Sequence, residues 1–272
     1  MGRVGVMELT EHTRNSLRAL TEWWEDAGVP IDTRELDRLM RAAKAKAPRP
    51  ESVSSPETPV TKPGNISAVS AAQAAVAHVQ TLEDLKSALN SFEACDLKQK
   101  ARNTVIADGA ASADVMVIGE GPGREEDQAG LPFVGPAGIL LDKMLASIDL
   151  SRTSNVYLCN VNFWRPPGNR NPSPEELAIC RPFVDKHIEL VSPKLIIATG
   201  LVPANALLGN DATIGTMRGK HFNLNVPGLK APIPVFPIFH PSFLLRRPAE
   251  KAKAWEDLLN IQRFIEESGI SR

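Results

Sequence analysis

Gly119-Glu120-Gly121-Pro122-Gly123-Arg124-Glu125-Glu126-Asp127-Gln128-Ala129-Gly130-Leu131-Pro132-Phe133-Val134-Gly135-Pro136-Ala137-Gly138 is the stretch from which the fold can be read. Its six glycines and three prolines argue against regular structure. The residues before it, Asp114-Val115-Met116-Val117-Ile118, form a short apolar run of the buried-strand type. Those after it place Leu140, Leu141, Met144, Leu145 and Ile148 at helical spacing. The unit is a strand, a long loop and a helix, and open α/β sheets bind ligands at the carboxyl ends of their strands. A loop this long that carries Glu120, Glu125, Glu126 and Asp127 reads as a site rather than a connector.

Three further apolar runs, residues 155–159, 194–199 and 233–239, alternate with helical patterns. The clearest helix starts at Ser173 as N-cap, with Pro174 in the first position and Glu176 closing a capping box. Leu177, Cys180, Val184, Ile188 and Val191 then share one face. A C-terminal helix is expected over residues 249–265, with Trp255, Leu258, Leu259 and Ile261. Strands alternating with helices predict a parallel four-stranded sheet covered on both faces.

Each predicted strand is followed by unusual residues. The second ends at Asn160 and leads into Arg165-Pro166-Pro167-Gly168-Asn169-Arg170; the third is followed by Gly200; the fourth by His240-Pro241-Ser242-Phe243-Leu244-Leu245-Arg246-Arg247. All these clusters fall on one edge of the sheet, which predicts a single composite site. Its carboxylates, amides, one histidine, guanidiniums and the Phe133 ring suit a planar polar ring beside an anionic backbone. Gly119-x-Gly121-x-Gly123 is not the dinucleotide fingerprint, and no P-loop lysine or G-x-S-x-G nucleophile is present.

The chain has 272 residues and a net charge of −1, so it is not a generally basic nucleic-acid binder. DNA affinity would come from a local rim of Arg165, Arg170, Arg218, Lys220, Arg246 and Arg247. Three scattered cysteines, Cys95, Cys159 and Cys180, do not make a disulfide framework. With no long apolar segment and no apolar signal core, a cytoplasmic protein without membrane contact is expected.

Residues 8–27 and 33–46 carry helical patterns, the first with Leu9, Leu17, Leu20 and Trp24 on one face. Residues 47–66 hold five prolines among Ser, Thr, Lys and Glu. A further helix is predicted from Thr81, where Thr81 and Asp84 form a capping box and Leu82, Leu85 and Leu89 share a face. The expected organisation is a helical N-terminal extension (1–46), a Pro-rich, low-complexity linker (47–80) and an α/β domain (81–272). The extension is a candidate surface for a protein partner on an otherwise monomeric chain.

Gly119-Glu120-Gly121-Pro122-Gly123 with Glu126-Asp127, Gly130-Leu131-Pro132-Phe133-Val134-Gly135, Asn160, Arg165-Pro166-Pro167-Gly168-Asn169-Arg170, and His240-Pro241-Ser242 with Leu244-Leu245-Arg246 together resemble the family 4 uracil-DNA glycosylases, in order, from about residue 92 to 265. The resemblance implies a three-layer α/β/α sandwich and excision of uracil from DNA. It implies that Phe133 stacks on the base, with Gly121 and Gly123 allowing close backbone approach. The Asn160 amide would read the Watson–Crick edge, and His240 would donate to the uracil oxygen. Glu120 would serve the water or the sugar. Glu126 and Asn169 match motif positions with catalytic roles, while Arg165, Arg170, Ser242 and Arg246 would contact or shape the DNA strand. Two alternatives stay open: a non-catalytic DNA-damage-binding module on the same fold, and a glycosylase for another deaminated base.

The pattern departs from the family at its [4Fe–4S] ligands. Cys95 and Cys180 match two ligand positions, but Phe92 and Trp164 stand at the other two, and Cys159 is not a ligand position. A cubane needs about four thiolates, so no cofactor is expected, and Phe92 and Trp164 are expected to fill the volume. A related glycosylase that cross-links to DNA uses a histidine after the second strand. None occurs here between Asn160 and Asn171, which argues against covalent capture.

Overall fold

The computed structural model describes residues 51–52, 63–209 and 211–270. The helical patterns at 8–27 and 33–46, and most of the Pro-rich stretch, lie outside the described residues. Strand β1 (Glu51–Ser52) is followed by helix α1 (Pro63–Val76), α2 (Leu82–Ser91), α3 (Asp96–Lys100) and strand β2 (Ala107–Gly109). Then come β3 (Val115–Gly119), α4 (Arg124–Ala129), α5 (Pro136–Ala146) and β4 (Val156–Asn160). The chain continues with α6 (Pro174–Val191), β5 (Leu195–Thr199), α7 (Leu201–Leu208), α8 (Ile214–Met217), β6 (Phe222–Leu224), β7 (Ile233–Ile238), α9 (Pro241–Arg246) and α10 (Lys251–Ser268).

The four predicted runs are β3, β4, β5 and β7. They lie side by side in the order β7-β5-β3-β4, all parallel. The sheet is wider than four strands. β2 adds antiparallel to β4, β6 adds antiparallel to β7, and β1 lies beyond β6. The added edges are two or three residues long, with polar positions such as Asp108 and Asn223. They carry too little periodicity to be read from sequence.

Side-chain alternation divides the core between the two faces of the sheet. Met116, Ile118, Tyr157, Cys159, Ile196 and Ala198 face a layer that includes Leu85, Leu89, Cys180, Phe183 and Leu207. Val115, Val117, Val156, Leu158, Leu195 and Ile197 face Leu140, Leu141, Met144, Trp255 and Leu258. The result is a three-layer α/β/α sandwich. Both predicted capping boxes form, at Thr81 with Asp84 and at Ser173 with Glu176.

Within the segment expected as linker, residues 63–76 are helical, and Ala72 and Val76 are buried in the first core face. The run begins on Pro63, a favoured first helical residue, and its alanines allow close packing. No helix among the described residues is long and apolar enough to cross a membrane.

From β3 the chain passes through α5 to its neighbour β4, then returns past β3 to β5. Because α5 packs on one face and α7 on the other, the connections leaving β3 and β5 diverge. That divergence opens the crevice in which such sheets bind ligands.

Candidate functional site

Gly119, the last residue of β3, is in register with Asn160, the last residue of β4. A Cβ on Gly119 would lie 2.4 Å from Asn160 Oδ1 and 2.4 Å from Phe133 Cζ. The bare glycine thus forms the floor on which the carboxamide and the aromatic ring meet. Asn160 is 3% exposed, and its carboxamide lies against the Phe133 ring across Gly119.

Phe133 holds a left-handed backbone, φ 54°, a conformation that costs a non-glycine residue about 1–2 kcal/mol. Its surroundings hold it there. Gly138 leaves room for the Phe133 carbonyl, which a Cβ would meet at 1.8 Å. Glu126 Oε1 accepts the N–H groups of Val134 (3.0 Å) and Gly135 (2.8 Å), and its Oε2 accepts that of Gly123 (3.1 Å). The expectation that residues 119–138 lack regular structure is therefore corrected. The run Arg124–Ala129 is a short helix, because Glu126 supplies the acceptor that caps its N-terminus. Asp127 Oδ1 accepts from the backbone of Arg102 (2.8 Å) and Asn103 (3.1 Å), tying the loop to the segment before the sheet.

Arg152 completes this frame. Its guanidinium donates to Asp142 Oδ1 (2.8 Å), Asp108 Oδ2 (2.9 Å) and the carbonyls of Pro132 (3.2 Å) and Phe133 (2.7 Å). No local signal in the sequence marks it: Arg152 is a lone arginine in Ser151-Arg152-Thr153-Ser154, and its partners lie 10 to 44 positions away.

The opposite wall comes from β7. His240 stacks across from Phe133, with ring centroids 6.5 Å apart and planes 28° from parallel. Its approach is allowed by Gly200, where φ is 102° and a Cβ would meet the His240 Cβ at 3.1 Å. His240 Nδ1 accepts the Ser242 backbone N–H at 3.1 Å and lies 2.8 Å from Ser242 Oγ. Nδ1 is thus the acceptor nitrogen, and the ring proton of the neutral imidazole sits on Nε2. Burial, helped by the positive charge of Arg246, lowers the His240 pKa to about 4. Glu120 is half-buried at the end of β3, and burial raises its carboxyl above the ordinary range.

Asn160, Phe133 and His240 come together, with Gly119 beneath. Other predicted site residues are engaged elsewhere. Glu126 is bound to the backbone of its own loop, as described. Asn169 is exposed and accepts from Arg165 Nε at 2.6 Å. Arg170 makes a two-bond fork to Glu176, 2.6 and 2.8 Å. Of the proposed rim, Arg218 is taken up by Asp257 at 2.9 Å and lies 5.5 Å from the Phe239 ring. Arg246 and Arg247 are exposed beside the crevice. Gly121 stands against Asn162, whose Nδ2 lies 3.1 Å from the place of a Cβ there.

Behind the site, Phe92 and Trp164 stack with centroids 6.2 Å apart, and Phe92 meets Phe183 edge-on at 5.0 Å. Trp164 Nε1 donates to Thr104 Oγ1 at 3.1 Å. Cys95, Cys159 and Cys180 are buried free thiols, and the Cys180 Sγ lies 3.7 Å from Asn162 Oδ1.

A family model described as the uracil DNA glycosylase superfamily matches residues 106–259. The chain is similar to the type-4 uracil-DNA glycosylase of Thermotoga maritima, 36% identical over 193 residues that cover 70% of this chain and 97% of that protein. It is 34% identical to the type-4 uracil-DNA glycosylase of Pyrobaculum aerophilum over 196 residues, covering 69% and 98%. The type-4 enzyme of Archaeoglobus fulgidus is 36% identical over 187 residues, covering 67% and 92%.

Proposed function

This chain belongs to the uracil-DNA glycosylase superfamily and, within it, to the type-4 uracil-DNA glycosylases, and from that premise we propose that it hydrolyses the N-glycosidic bond of deoxyuridine in DNA, releasing uracil and leaving an abasic site. The observation that carries the reading is the buried carboxamide of Asn160 set against the Phe133 ring over Gly119. A uracil stacked on Phe133 satisfies that amide: the Asn160 oxygen accepts N3–H and its NH2 donates to O4. Cytosine presents the reverse pattern and leaves both groups unpaired, the arrangement that gives strong discrimination.

The base reaches this pocket only when flipped out of the stack. As the N1–C1′ bond breaks, its electron pair moves onto the uracil ring and O2, and positive charge builds on the sugar. His240 donates from Nε2 to O2, stabilising that anion as a neutral hydrogen-bond donor. Glu120 orients the water that adds to C1′ and takes its proton; burial raises the carboxyl toward the range of a general base. Arg246 contacts the phosphates, and Ser242 sets the His240 tautomer.

The enzyme works without an iron–sulfur cluster. At two of the four ligand places of the family stand Phe92 and Trp164, stacked on each other and buried. Two thiols do not hold a cubane. Protein purified without oxygen is expected to be colourless and to carry no stoichiometric iron.

The test is release of free uracil from deoxyuridine-containing DNA. Asn160→Ala is expected to slow release on the order of 100-fold. Tight binding of uracil-containing DNA with no release would overturn the enzymatic reading in favour of a damage-binding module.

A further inference from the structure

We infer that Arg152 is a positioning residue for base capture, acting through the backbone of Phe133. The inference rests on the reading that Phe133 stacks on the flipped base. Phe133 is held in a left-handed conformation in a loop, where an isolated phenylalanine would relax. Its carbonyl receives the shortest of the four hydrogen bonds made by the Arg152 guanidinium, 2.7 Å, and the carbonyl of Pro132 receives another. The two remaining bonds run to carboxylates on separate elements, Asp108 on β2 and Asp142 on α5. Both carboxylates are part-exposed, 31% and 46%, while the Arg152 side chain is 16% exposed. One planar fork thus references the stacking residue to an edge strand and a helix at once.

Only guanidinium chemistry meets this demand. Arginine offers five N–H donors in a fixed plane, whereas lysine offers a single ammonium point. Charge alone is therefore not the property at work. Arg152→Lys keeps the charge beside Asp108 and Asp142 but cannot bridge both carboxylates and both carbonyls. The ring of Phe133 would then sample positions off the base plane, and a misplacement of about 1 Å is enough to slow chemistry up to about 100-fold.

A double-mutant cycle on the full chain separates this role from simple scaffolding. Single-turnover uracil release is measured for wild type, Arg152→Lys, Phe133→Leu and the double variant, at a temperature where circular dichroism finds each folded. Arg152→Lys is expected to slow release about 10- to 100-fold, and to add little once Phe133 is already leucine. Multiplicative losses in the double variant would overturn the inference, as would a wild-type rate for Arg152→Lys while Phe133→Leu is slow. A wild-type rate for Phe133→Leu would instead sink the stacking reading and this inference with it. Should Arg152→Lys fail to fold, Asp142→Asn, which loosens one anchor and spares the carbonyl contacts, is put through the same cycle and read by the same criteria.

Discussion

His240 Nδ1 accepts the backbone N–H of Ser242 at 3.1 Å, so the imidazole is held in the tautomer that carries its proton on Nε2. The ring is neutral, with Nε2 as its donor nitrogen. With its pKa lowered to about 4, His240 keeps that state across the neutral range, and the acid limb expected from it on single-turnover uracil release lies near pH 4 rather than 6.5. His240→Ala is expected to slow release about 100- to 1000-fold. Ser242→Ala keeps the backbone N–H and is expected to cost under about tenfold. A wild-type limb centred near pH 6.5 that disappears in His240→Ala would contradict the neutral donor. The same shift bears on stability. The folded pKa lies below the unfolded value, so the unfolded chain binds the proton first. This contribution is whole above about pH 6.5 and is lost toward pH 4, by about 1.4 kcal/mol per pH unit at full slope.

The basic rim expected from sequence divides into two kinds of arginine. Arg246 is exposed beside the crevice, and Arg246→Ala is expected to weaken binding to uracil-containing DNA and lower the salt slope by about 1. Arg218 is structural. It pairs with Asp257, whose side chain is 2% exposed and whose carboxyl burial pushes up to about 7 despite the arginine. Arg218→Ala is expected to cost about 3 kcal/mol in urea unfolding and to leave the salt slope unchanged. Equal salt slopes for wild type and Arg246→Ala would remove Arg246 from the interface.

The reach of sequence reading follows from the range of the interactions. The four parallel strands and the helices after Thr81 and Ser173 were legible because periodicity and capping are local. The crevice was legible because each unusual cluster follows a strand. Glu126 is a catalytic candidate through its place in a family motif, and its sequence neighbourhood does not reveal that its carboxylate binds the backbone of its own loop. Arg152 was invisible because its partners are Asp108, Asp142 and two carbonyls supplied by other elements. The helix at Pro63–Val76 was hidden by its composition, since prolines nearby suggest a linker and alanines advertise no apolar face.

Stacking of Phe92 on Trp164 carries a stability prediction. Both rings are buried, and Trp164 reaches Thr104 through Nε1. Trp164→Ala is expected to cost about 3–5 kcal/mol in chemical denaturation. Trp164→Phe keeps an aromatic partner for Phe92 and loses the hydrogen bond to Thr104; it is expected to cost roughly half as much. Adding iron and sulfide under reducing conditions is expected to change neither midpoint. A midpoint raised by iron would show that Cys95 and Cys180 recruit a cluster after all.

Two glycines separate the pocket from the frame that holds it. At Gly138 an added Cβ meets the backbone of Phe133, its carbonyl oxygen at 1.8 Å and its carbonyl carbon at 2.1 Å. No side-chain rotation relieves that contact, so Gly138→Ala must displace the loop, and both stability and uracil release are expected to fall. At Gly119 the added methyl meets side-chain ends, Asn160 Oδ1 and Phe133 Cζ, each at 2.4 Å. Those ends can swing away with little cost to the fold, but they are the two groups proposed to hold the base. Gly119→Ala is therefore expected to unfold near the wild-type midpoint while releasing uracil about 100-fold more slowly. A folded, fully active Gly119→Ala would place base recognition somewhere other than the floor between β3 and β4.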